Sequence, residues 1–139
     1  MDQLRLRLES SRRAVGTLEE ALAAPFSVIV RDASVQRFEY SFEVVWKVLK
    51  VHLDRRHGMV CSSPKQCFRE AMKVGLLTLE EVESCLVMTD DRNLTAHTYI
   101  EAVAEKIYGR LAEYLQVMKK LIDRMAAQIP AADLPAADS

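Results

Sequence analysis

Between residues 90 and 99 the chain reads Asp90-Asp91-Arg92-Asn93-Leu94-Thr95-Ala96-His97-Thr98-Tyr99. Here Arg, Asn, His, Thr and Tyr crowd together where no apolar stripe demands them. An arginine offers a planar fork of donors that clamps phosphate. A histidine, with an ordinary pKa near ~6.5, moves protons close to neutrality. The helix expected to start after this stretch adds unpaired backbone N–H groups that favour an anion. Phosphate binding with proton transfer is the chemistry these types suit. The same residues also fit an ordinary loop, with Asn93 as a C-cap, Arg92 paired to Asp90 or Asp91, and His97 hydrogen-bonded locally.

The elements that must position this stretch are helices. Leu4, Leu8, Ser11, Val15, Leu18 and Leu22 recur at spacings of three and four, which predicts an amphipathic helix over 2–24. Pro25 ends it, and Phe26 to Val30 reads as an apolar connection. Ser34 is the candidate N-cap of a second helix that carries Phe38, Phe42, Val45 and Leu49 on one stripe and runs to Gly58. Tyr40, Val44, Val48 and Val51 lie outside that stripe, so this helix is expected to pack on two sides, one of them a second subunit. Ser63-Pro64 opens a third helix to residue 74, closed by Gly75. Thr78 and Glu81 have capping-box spacing and open a fourth, ending near Asp91. Thr98 and Glu101 form a second candidate box for one long final helix with Val103, Ile107, Leu111, Leu115, Met118, Ile122 and Met125 as its stripe. An all-α, antiparallel bundle of four to five helices over residues 1–126 is the expected fold. The Ala/Pro/Asp-rich stretch 127–139 is expected to be disordered.

Composition agrees. The chain has 139 residues, a formal net charge of −1, and half its residues are hydrophobic, which fits one globular domain. Four Gly and four Pro supply little turn chemistry for a many-stranded fold or a Gly-rich phosphate loop. No apolar run approaches the ~20 residues of a membrane span. Arg5, Arg7, Arg12 and Arg13 near the start, with no apolar core beside them, leave no secretory leader to expect. Cys61, Cys67 and Cys85 lack CxxC spacing, so reduced thiols are expected, without a disulfide or metal site. His52 and His57 near Cys61 match no recognised metal-ligand pattern. Cys85, within an apolar stripe, reads as buried.

Charge is unevenly spread. Residues 47–73 hold seven basic and two acidic side chains, whereas residues 78–91 hold five acids and no base. The two segments either pair with each other or present separate faces, one for an anion and one for a basic partner. Lys47, Arg69 and Lys73, in the basic segment, are candidate contacts for a substrate or nucleotide. Trp46, Phe38, Phe42 and Tyr40 have helical spacing and read as core or interface ahead of a base-stacking box. Met72, Met88, Met118 and Met125 read as core filler. Lys119, Lys120 and Arg124 suit the end of a helix.

The arrangement of Arg92, four residues, His97, one residue and Tyr99, set before the final helix, resembles the signature of HEPN domains. The wider order is similar to the nucleotidyltransferase substrate-binding protein family, the HEPN partner of a minimal nucleotidyltransferase (MNT). It comprises Gln36 to Glu43, Trp46-Lys47, Ser63-Pro64, Arg69-Glu70-Ala71, Gly75-Leu76, then Arg92-Asn93 to His97-Thr98-Tyr99, and it covers residues 4–125. One departure is Asp90-Asp91 ahead of Arg92, two acids that would lower phosphate affinity or hold Arg92 in place.

The resemblance implies a metal-independent endoribonuclease toxin acting through a composite site in a homodimer. In it Arg92 stabilises phosphoryl charge, His97 is base or acid, and Asn93 orients. Cleavage by a ribose 2′-OH needs a base and an acid on opposite sides of phosphorus, and a two-fold axis supplies two copies of His97. The separately encoded MNT partner would neutralise the toxin by binding or by adenylylating Tyr99, beside Arg92 and His97. ATP and Mg would then belong to the partner, and this chain would need no cofactor. The alternative is a non-catalytic subunit that completes the partner's nucleotide site. The chain lacks the Gly-Ser and paired-Asp strand motif of self-contained nucleotidyl transfer. A cytoplasmic location away from membranes is the setting this implies.

Overall fold

A computed structural model describes residues 2–96 and 99–130. It contains six helices: α1 (Asp2–Ala23), α2 (Val28–His57), α3 (Pro64–Lys73), α4 (Leu79–Thr95), α5 (Glu101–Tyr108) and α6 (Leu111–Gln128). The fold is all-α, and no strand occurs among the described residues. None of the helices is long and apolar enough to cross a membrane.

The 30-residue α2 is the axis of the bundle, and every other helix packs on it. Its buried face carries Phe38, Phe42, Val45 and Leu49 as the spacing predicts, together with Val48 and Leu53. Phe38 stacks on Tyr114 of α6 at 5.6 Å, and Phe42 meets Phe68 of α3 at 6.1 Å, so aromatic rings run through the core. Phe38 and Phe42 are therefore core residues. Trp46 is partly buried against the core, and Tyr40 is exposed and hydrogen-bonded to Thr17 of α1. Met88, Met118 and Met125 are buried, but Met72 is 41% exposed and is not core filler.

Three boundaries differ from the sequence expectation. The second helix starts at Val28, capped by Ser27, whose hydroxyl oxygen accepts from the Val30 N–H at 3.0 Å. Ser34 lies inside the helix, buried, and donates back to the Val30 carbonyl at 2.7 Å. The first turn escapes periodicity because Val28 and Ile29 face solvent. The fourth helix continues past Asp91 to Thr95, so Arg92 and Asn93 stand on a helix and not in a loop. Finally, the last helix is two helices, broken at Gly109-Arg110, where a tight Arg110 N–H to Ile107 carbonyl bond of 2.8 Å replaces the regular ladder. The cap of α5 is Ile100, without a side-chain hydrogen bond. Thr98 of the expected Thr98–Glu101 box lies outside the described residues.

Other local signals act as read. Ser63 caps α3 with Pro64 in its first turn, and Thr78 with Glu81 forms a reciprocal capping box on α4. Gly58 closes α2 at φ 65°, a left-handed conformation that favours glycine.

The expectation of three reduced cysteines fails. Cys61 and Cys67 form a disulfide, with Cα atoms 5.4 Å apart, which pins the segment after α2 to the first turns of α3. The turn at Gly58 brings the two thiols together, and six-residue spacing alone does not disclose that. Cys85 is free and buried, and burial pushes its thiol up to about 12. The Cys61 sulfur is taken up by the disulfide and is not a free thiolate beside His52 and His57. Both ring Nε2 atoms meet the Gln128 side-chain oxygen, at 2.9 and 2.8 Å.

Candidate functional site

The stretch singled out in the sequence lies at the end of α4 and the start of α5, against the first half of α2. A hollow of about 370 Å³ lies between Asp32, Gln36 and Glu39 on one side and Thr95, Ala96 and Tyr99 on the other. A second, of about 500 Å³, is lined by Glu43 and Arg92 and shares Gln36, Glu39, Thr95 and Ala96 with the first. The two form one groove, with Arg92 toward one end and Tyr99 toward the other.

Arg92 is four-fifths buried, and its Nη2 lies 3.3 Å from a Glu43 carboxylate oxygen. Its Nε is buried without a hydrogen-bond partner. One edge of the guanidinium is therefore held by α2, with donor capacity left over for a ligand. Glu43 also lies 3.6 Å from Lys47 Nζ and accepts from the Trp46 indole at 3.4 Å. Lys47 and Arg92 thus share one carboxylate.

Neither acid before Arg92 holds it. Asp90 pairs with Lys65 of α3 at 2.7 Å. Asp91 is buried, accepts from Arg110 Nη1 through both oxygens at 2.8 Å, and accepts from the Tyr114 hydroxyl at 2.5 Å. Burial and the Asp91 hydrogen bond raise the Tyr114 phenol well above its ordinary pKa. The effect of this network is mechanical: it fixes the last turns of α4 to the head of α6, and so fixes the helix that carries Arg92.

Tyr99 is exposed, yet its hydroxyl is held. It accepts from Arg31 Nη2 at 2.7 Å and stands 3.5 Å from Asp32 Oδ1. Arg31 is itself almost fully buried, and its other nitrogens reach Asp32 at 3.0 Å and Glu101 at 3.3 Å. Sequence reading missed Arg31, Asp32 and Glu43 as site residues. The pair Arg31-Asp32 inside an apolar run was the available signal.

The remaining candidates separate. Asn93 is exposed, and its carbonyl accepts from the Ala96 N–H, so Ala96 and not Asn93 caps α4. His97 lies outside the described residues. Arg69 and Lys73 lie on α3 and do not line the groove, and Lys73 pairs with Glu70 at 3.0 Å. No cluster of three or more His, Cys, Asp or Glu able to hold a metal ion occurs among the described residues.

The sequence pattern of the family described as "Nucleotidyltransferase substrate binding protein like" matches residues 6–127. The chain belongs to this family. A Thermus thermophilus protein of known structure is 42% identical, with a TM-score of 0.79 over 83% of this chain and 98% of that one. This substrate-binding-protein-like chain also shares its fold with the tri-AMPylated Shewanella oneidensis HEPN toxin solved in complex with MNT antitoxin. There the TM-score is 0.74 at 15% identity, over 91% of this chain and 98% of the toxin. A Haemophilus influenzae protein named "Probable ribonuclease HepT" is 25% identical over 96 residues, 66% of this chain. The match spans 64% of that relative's length.

Proposed function

We propose that this chain is the HEPN toxin of a two-gene HEPN/MNT system, a metal-independent endoribonuclease built as a homodimer and silenced by its nucleotidyltransferase partner. The observation that carries the reading is the single groove that presents both Arg92 and the Arg31-held phenol of Tyr99. A relative named as a ribonuclease and a fold neighbour AMPylated in complex with its antitoxin support it.

In the cleavage step, a ribose 2′-oxygen bonds to the adjacent phosphorus and the P–O5′ bond breaks. The 2′-OH proton passes to His97 of one protomer, and the other His97 protonates the leaving 5′-oxygen. A 2′,3′-cyclic phosphate and a 5′-hydroxyl result. Arg92 offsets the charge that grows on the phosphoryl oxygens, and Asn93 orients the strand. In the silencing step, the Tyr99 oxygen bonds to the α-phosphorus of ATP held by the partner, and pyrophosphate leaves. Asp32 is placed to take the phenolic proton. The added nucleotide then fills the groove between Tyr99 and Arg92.

The test is RNA cleavage in EDTA by the parent chain, Arg92→Ala and His97→Ala. The parent should cut and both variants should lose at least a hundredfold; equal activity in all three overturns the ribonuclease reading. Incubation with partner and ATP should add AMP masses that Tyr99→Phe abolishes.

A second reading, a non-catalytic subunit that completes the partner's nucleotide site, is favoured by the acids Asp32, Glu39 and Glu43 along the groove. They suit a nucleotide whose phosphates are already covered by Mg. Co-purification with an active partner, and no RNA cleavage, is its expected outcome.

A further inference from the structure

We infer that a second, basic groove along α1 and α2 binds the sugar–phosphate backbone of single-stranded RNA. This hollow of about 400 Å³ lies beyond Glu43 from the Arg92 groove. Arg7 of α1 and Lys47, Lys50 and Arg55 of α2 line it, against one acid, Asp54, with Trp46 in its wall. Residues 46, 50 and 54, and likewise 47, 51 and 55, are four apart, so they form one face of α2.

Its charge is not cancelled by the acidic segment. Of those acids, Asp90 pairs with Lys65, Asp91 with Arg110 and Glu81 with Arg124. All four cations of the groove are exposed to solvent, and Lys47 also lies near Glu43. From Lys47 to Arg55 the helix rises about 12 Å, which leaves room for more than one phosphate. Lys50 lies 5.9 Å from the Trp46 ring centroid. A charged groove walled by an aromatic ring is the arrangement that tracks a single strand and stacks its bases. A duplex keeps its base faces covered and offers Trp46 nothing to stack on. Glu43, which meets both Lys47 and Arg92, stands between this groove and that of Arg92.

The choice of RNA as the anion rests on the proposed function, so the probe is one that 2′-OH chemistry cannot cleave. A fluorescent 2′-O-methyl oligoribonucleotide is titrated into the full chain and followed by anisotropy. Trp46 is the only tryptophan of the chain, so emission excited selectively at tryptophan reports on the wall of this groove. Saturable binding should quench Trp46 with the same Kd. Lys50→Glu with Arg55→Glu should weaken binding at least tenfold and lower the salt slope by about 2. Lys120→Glu with Arg13→Glu, an equal charge change elsewhere on the surface, should change it less than threefold. Absence of binding, binding without a Trp46 response, or equal losses in both pairs overturns the proposal. So does a groove variant that keeps RNA but loses the nucleotidyltransferase, because the face is then a protein interface. Cleavage can fail while this binding stands, and the reverse also holds.

Discussion

Asp91 should matter more to this protein than any exposed charge near it. The carboxylate is buried and accepts three hydrogen bonds, two from Arg110 and one from Tyr114. In Asp91→Ala the Tyr114 hydroxyl, itself buried, loses its partner, at about 1–3 kcal/mol. Arg110 is about one-third exposed and recovers water, so its loss is discounted to about 1 kcal/mol. The expected total is about 2–4 kcal/mol, overlapping the range for removing one partner of a buried pair. For a chain of this size that lowers Tm by about 6–15 °C. Urea and thermal unfolding followed by circular dichroism give the number. Asp91→Asn, which keeps an acceptor for Tyr114, should cost about half as much. Removing the charge should also let the Tyr114 phenol titrate closer to its ordinary value, visible in ultraviolet difference spectra. Asp91→Asn combined with Tyr114→Phe should cost less than the two single losses added. A loss below 1 kcal/mol in Asp91→Ala, with additive single variants, would refute the reasoning.

Thiol chemistry offers a second check: no thiol should react with Ellman's reagent in the native protein, one after unfolding, and three after reduction and unfolding. Replacing Cys61 and Cys67 by serine should cost about 2 kcal/mol, because the cross-link closes only a short loop. Arg124 holds Glu81 below the ordinary carboxylate range, so this pair stabilises the fold above that range and the contribution is lost as pH falls through the folded pKa. The stability difference between the parent and Glu81→Gln should therefore be present at pH 7 and shrink in acid. Gly58→Ala should cost about 1–2 kcal/mol, since space is open but φ is 65°.

What was legible in the sequence followed from local rules. The stripes of α1, α2 and α6 and the caps at Ser63 and Thr78 depend on near neighbours in the chain. The sites that escaped depend on distant partners. Glu43 reaches Arg92, and Arg31 reaches Tyr99, across tens of residues that no spacing rule connects. Asp91 is an intermediate case: it stands three residues after buried Met88, which itself follows buried Cys85 and Val82 at the same interval. Its place on the buried stripe was available, but a carboxylate there makes sense only once Arg110 and Tyr114 face it. The break at Gly109 hid behind an apolar stripe that runs through it unbroken, from Ile107 to Leu111.

That break leaves α5 a helix of eight residues with two buried side chains, Ala104 and Ile107, and no side-chain cap. Alone in water so short a helix is marginal. Its detachment should therefore cost less than unfolding the bundle. Tyr99 stands at its entrance. On the proposed function, the partner nucleotidyltransferase would reach this phenol by loosening the start of α5 and the Arg31 contact, while α2, α4 and α6 stay packed. Amide exchange should find α5 the fastest helix to open and the core face of α2 among the slowest.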